Sequence, residues 1–133
     1  TDGQLFWRLS AGGSTASQLV IPLSGLPDKT RLQNVSLHFI PGVAANGILT
    51  SELFSDTFSN STQGSIEGDT YTATADGLGS IRALTLNANR LLDHDTETYY
   101  LSISINNAAG ATRWDVYYVE VNLDIDSSNG LVP

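Results

Sequence analysis

Glu97-Thr98-Tyr99-Tyr100-Leu101-Ser102-Ile103-Ser104-Ile105-Asn106, followed by a second run from Thr112 to Ile125, is the stretch on which the fold turns. In the first run Tyr99, Leu101, Ile103 and Ile105 share one face, and Tyr100, Ser102 and Ser104 share the other. Alternation with period two is the mark of a half-buried strand. Asn106-Asn107-Ala108-Ala109-Gly110 reads as the hairpin loop between the runs. In the second run Tyr117, Val119, Val121 and Leu123 lie on one side, but Trp114, Val116 and Tyr118 make the opposite side apolar too. A strand apolar on both faces is expected to have both covered. One cover is the domain core; the other is a long loop or a second subunit.

Working outward, the same alternation recurs between clusters of turn residues. Gln4 to Leu9 places Leu5, Trp7 and Leu9 together, and Gln18 to Leu23 does so for Leu19, Ile21 and Leu23. Pro22 removes a ladder donor, which assigns that strand to an edge or a bulge. Arg31 to Ile40 puts Val35, Leu37 and Phe39 inward, with Asn34, Ser36 and His38 outward. Ile48 to Phe54, Ile66 to Ala75 and Ile81 to Leu86 complete the set, with a polar stretch from Ser55 to Ser65 read as a loop. The best helical candidate is Ala88 to Leu92, just over one turn, with Asn87 as its cap or a 3₁₀ turn in its place. Eight short strands predict an all-β protein: an antiparallel two-sheet β-sandwich, an eight-stranded jelly roll first and an immunoglobulin-like sandwich second. At 133 residues the chain is expected to form one domain, residues 1–133.

Composition narrows the function. Six Lys+Arg against fourteen Asp+Glu give a formal charge of −8, which argues against nucleic acid as a partner. Cys is absent, which removes disulfides, thiolate metal sites and a cysteine nucleophile. No apolar run approaches the ~20 residues of a membrane-spanning helix. Met is absent too, so a chain beginning at Thr1 fits either a trimmed initiator Met or a boundary inside a longer protein.

Motifs for chemistry are sparse. No Gly-x-Ser-x-Gly elbow is present. His38 reads as an exposed strand residue, and His94, between Asp93 and Asp95, as part of a solvated acidic loop. Asp124-Ile125-Asp126-Ser127-Ser128-Asn129-Gly130 resembles the start of a calcium loop, but its Gly falls one place late and no Glu follows at the twelfth position. No catalytic residue, metal or cofactor is therefore assigned. Asn34-Val35-Ser36 and Asn60-Ser61-Thr62 are glycosylation sequons that matter only in a secretory pathway. Trp7, Trp114, Tyr100 and Tyr118 are candidates for a sugar-stacking platform, or for core and interface packing.

Leu23-Ser24-Gly25-Leu26-Pro27-Asp28 leads into a Thr-initiated strand, Thr30 to Ile40. A polar middle follows, then Tyr99 to Ile103 and the aromatic strand Trp114 to Leu123. This order resembles the small jelly-roll domains of tailed-phage virion proteins, a group that includes capsid decoration (cement) proteins and distal tail-fibre domains. The resemblance implies binding rather than catalysis, trimers, and a place on the virion's outer surface. The first expectation is a non-enzymatic homotrimeric cement protein that binds between subunits of the major capsid protein. Trp114, Val116 and Tyr118 are then expected at the self-association interface, and Phe6 and Trp7 at the shell contact. The alternative is a receptor- or glycan-binding module of a tail fibre or adhesin, using Gly42 to Gly47 and Ser55 to Ser65. A small glycosidase comes third and needs two carboxylates facing each other at roughly 5–10 Å.

Overall fold

Eight strands form where the alternation places them: β1 (Trp7–Ala11), β2 (Ser17–Pro22), β3 (Arg31–Ile40), β4 (Ile48–Thr57), β5 (Thr62–Thr72), β6 (Arg82–Leu91), β7 (Glu97–Asn106) and β8 (Thr112–Asp124). They are seen in a computed structural model that describes residues 7–11, 17–41, 47–58, 62–73, 80–106 and 112–124. A back sheet has the order β1-β8-β3-β6 and a front sheet the order β2-β7-β4-β5. All six neighbour pairs are antiparallel. First pairs with last, second with seventh, third with sixth and fourth with fifth. That is a long hairpin rolled up on itself, the jelly roll, and it sets aside the immunoglobulin-like order. Pro22 lies on β2, an edge strand, where its missing N–H leaves no ladder partner wanting.

The inward residues meet in one cluster. Val35, Leu37 and Phe39 of β3 face Val121, Val119 and Val116 of β8 in register. From the front sheet, Leu49 and Leu53 lie beside Ile105 and Leu101. Trp114 is fully buried, with Phe39 at 5.7 Å and Tyr71 edge-on at 6.1 Å between ring centroids.

Three expectations are corrected. In β8, His38 pairs with Tyr118 but Phe39 pairs with Val116, so Tyr117 is an extra residue in a β-bulge. The bulge shifts the alternation by one. Trp114 and Val116 point into the core before it, and Val119, Val121 and Leu123 pack against the core after it. Two successive phases, rather than two covered faces, explain the doubly apolar pattern. Trp114 and Val116, at 0% exposure, fill the protein's own core instead of a surface for self-association. Second, Ala88 to Leu92 is no helix: β6 runs to Leu91, with Asn89 at φ 43° where the β3–β6 register slips. Asn tolerates this left-handed conformation better than most residues. Third, the polar stretch Ser55 to Ser65 is largely strand. β4 continues to Thr57 and β5 begins at Thr62.

Candidate functional site

The outward phase of the front sheet decides what that face presents. On β7 it carries Thr98, Tyr100 and Ser102, and on β4 Glu52, Phe54 and Asp56. Phe54 and Tyr100 are directly opposed in register, and their rings stack at 5.3 Å with an interplanar angle of 21°. Pro22 opposes Tyr100 from β2, and Val20 opposes Ser102. Beyond the end of β4, Phe58 stands 56% exposed, while its backbone N–H donates to the Thr96 carbonyl at 2.9 Å. Together these elements border a groove of about 460 Å³ lined by Val20, Pro22, Ser24, Phe58, His94 and Glu97 to Tyr100. Such a volume falls within the range of small-molecule sites. Polar groups edge the aromatic floor: Gln63 donates to the Tyr100 hydroxyl, Ser65 to Glu52 at 2.6 Å, and Gln18 to Ser102 at 2.8 Å.

One wall of the groove is the β6–β7 turn, and it is held from several sides. Leu92 exchanges backbone hydrogen bonds with Lys29 and Thr30. Lys29, at φ 58°, places its ammonium 2.6 Å from Asp93 and 3.3 Å from Asp95. The His94 N–H donates to Asp28, and the Asp93 N–H donates to the Tyr99 hydroxyl. That hydroxyl in turn donates to Glu97 at 2.8 Å, whose two oxygens also accept from Arg90 at 2.7 Å. The Arg90 guanidinium holds the Glu97 carboxyl below its usual range, and the Lys29 ammonium does the same for Asp93. Burial pushes the Tyr99 phenol up. A wall tied down in this way is in place before any ligand arrives.

The structure separates the residues that the sequence singled out. Of the four aromatic candidates, only Tyr100 lies in the groove. Trp114 is in the core. Tyr118 is on the outer face of the back sheet, stacked on His38 at 4.2 Å and 50% exposed. Trp7 opposes Val116 at the start of β1 and is 48% exposed. Phe6, residues 42–46 and residues 125–130 lie outside the described residues. Phe54 and Phe58 were missed. Leu49, Ser51 and Leu53 occupy the inward phase of β4, so Phe54 had to point outward, and reading Ser55 onward as loop hid the continuation to Phe58. Glu97 is the one carboxylate lining the groove, and Arg90 and Tyr99 already engage it. The facing carboxylate pair of a glycosidase is not among those lining residues. No group of three or more His, Asp or Glu among the described residues is placed to hold a metal ion.

With this geometry in view, comparison with known proteins supports the fold. No family model matches the chain, and no curated sequence does. Among solved structures it is similar to a CBM4 module, at TM-score 0.56 and 11% identity over 90% of this chain and 84% of that one. It is also similar to a chain of infectious bursal disease virus, Gt strain, at TM-score 0.57 and 12% identity, covering 93% of this chain and 30% of the viral one. A carbohydrate-binding module of the β-sandwich superfamily matches at TM-score 0.51 and 12% identity, over 91% of this chain and 59% of that one. The small jelly-roll resemblance thus holds, without being specific to phages.

Proposed function

We propose that this chain is a non-catalytic recognition domain, displayed on a virion or another extracellular surface, that binds a glycan in the front-sheet groove. The stacked Phe54–Tyr100 pair beside Val20, Pro22 and Phe58 carries this reading. A sugar ring has a face of C–H groups and a rim of hydroxyls. It therefore suits the Tyr100 ring, backed by Phe54, with the Ser24 and Thr98 hydroxyls in the lining beside it. The carbohydrate-binding modules of similar fold lend support at the level of architecture. The test is an oligosaccharide array followed by calorimetric titration of the hits. Binding that disappears in Tyr100→Ala supports the reading; binding that survives in Tyr100→Ala and Phe54→Ala places the ligand elsewhere.

A second reading keeps the homotrimeric capsid-decoration role, with self-association through the back sheet. It rests on the exposed apolar groups of that sheet: Tyr118 on the outer face, Ile81 and Leu91 at the two ends of β6, and Trp7 at the start of β1, on the inward phase but 48% exposed. Trp114 and Val116 take no part. A trimer mass in solution at micromolar concentration, reduced to monomer by Tyr118→Ser, supports this role. A monomer under those conditions removes it.

A further inference from the structure

We infer that the groove takes uncharged glycan chains and rejects anionic ones, a deepening that rests on the glycan reading above. The observation behind it is a division of charge between the two sheets. The front strands hold Glu52, Asp56, Glu67, Asp69 and Glu97, and no Lys or Arg. All five arginines of the chain, Arg8, Arg31, Arg82, Arg90 and Arg113, belong to strands of the back sheet. The single lysine, Lys29, is bound by Asp93 and Asp95.

The consequence at the groove is direct. Its lining contains no Lys or Arg, and Arg90, which approaches Glu97 from β6, has both carboxylate oxygens of that residue as partners. Recognition of carboxylates and sulfates uses Arg forks or ammonium groups. A uronate, sialate or sulfate entering here would meet Glu97 in the lining, Glu52 and Asp56 on the outward phase of β4, and a chain of formal charge −8. What the groove does present is hydroxyl groups on Ser24, Thr98 and Tyr100 around an apolar floor. These neutral donors and acceptors match the hydroxyls of a neutral hexose or pentose chain.

The test titrates the full chain with neutral oligosaccharides (cellohexaose, xylohexaose and mannohexaose) and with anionic ones (hexagalacturonate and sialyllactose), each at low and at high salt. A neutral probe is expected to bind with little salt dependence. The anionic probes are expected to bind at least about tenfold more weakly, with the gap closing as salt screens the field. The variant Asp56→Asn, which changes a carboxylate of the outward phase of β4 outside the groove lining, should narrow that gap while leaving neutral binding unchanged. Anionic probes that bind as tightly as neutral ones, or more tightly at low salt, overturn the inference and leave the glycan reading standing if Tyr100→Ala abolishes them. Failure of every probe overturns both.

Discussion

The two outer faces of this sandwich obey the same alternation and present opposite surfaces. On the back sheet, polar side chains satisfy one another: Ser36 with Thr85 at 2.7 Å, Asn34 with Asn122 at 2.6 Å, and Arg8 with both oxygens of Asp115. Tyr118, an exposed aromatic of that face, lies flat on His38. On the front sheet Tyr100, backed by Phe54, borders a groove together with a proline, a valine and a further phenylalanine, in a strand set without Lys or Arg. Strand order and core determine that there are two faces. Which face can recognise something is decided by a few outward side chains, and those are unconstrained by the fold.

The largest effect expected from testing this contrast lies within one strand. Trp114 and Tyr118 sit on opposite sides of the Tyr117 bulge, one in the core and one in water. Trp114→Ala should cost about 3–5 kcal/mol of stability, the range for emptying a buried aromatic site. Tyr118→Ala should cost no more than about 1 kcal/mol, the worth of a half-exposed stack. Chemical denaturation of both variants measures the difference. Equal costs would mean that β8 has no phase change, and that the pattern read from the sequence as two covered faces was right.

That strand also shows what the sequence could and could not convey. Period-two runs with turn clusters between them made eight strands and two sheets legible, because alternation reports burial directly. Tyr99, Leu101, Ile103 and Ile105 are buried as their pattern demanded. A bulge leaves no such mark. One inserted residue converts a single inward face into two apparent ones, so Trp114 and Val116 were assigned to a surface. The groove was hidden for a related reason. Tyr100 stood out, but its neighbour Phe54 is 46 positions earlier, and only the β4–β7 register brings them together. Ala88 and Leu92 mimicked a helical turn because a left-handed Asn89 interrupts a strand.

Ligand binding provides the next contrast. Tyr100→Ala should weaken oligosaccharide binding about 30-fold, as loss of a central aromatic contact does. Tyr118→Ala should leave it unchanged. If the two variants behave alike, the faces are not functionally distinct and the aromatic floor is not the site.

Stability against pH probes the wall between the faces. Glu97 and Asp93 titrate lower in the folded protein than in the unfolded chain, through Arg90 and Lys29. Below the ordinary carboxylate range of about 4 the unfolded chain therefore binds more protons. Their contribution is complete above that range and is lost as pH falls through the lower, folded values. Tyr99 titrates higher when folded, so its contribution is complete below about 10 and is lost as pH rises through the raised value. Melting temperature should fall on both limbs, and Glu97→Gln should flatten the acid limb. An unchanged acid limb in that variant would mean that the Arg90–Glu97–Tyr99 network does not hold the wall.

The smallest effect separates two arginine–carboxylate pairs. Arg8–Asp115 joins edge strand β1 to β8, with the arginine side chain 45% exposed. Arg90–Glu97 ties the back sheet to the front one, and Glu97 also accepts the Tyr99 hydroxyl. Solvent discounts both pairs alike, since the arginines are 45% and 38% exposed and the carboxylates 15% and 17%; the buried Tyr99 hydroxyl on Glu97 is what sets the second pair apart. Glu97→Gln should lower stability by about 1 kcal/mol, because it leaves a half-buried guanidinium and phenol with a weaker acceptor. Asp115→Asn should produce no measurable change in the denaturation midpoint. A larger loss from Asp115→Asn than from Glu97→Gln would invert the contrast: the back face would then hold the structural tie, and the front wall would be free to move when a ligand enters.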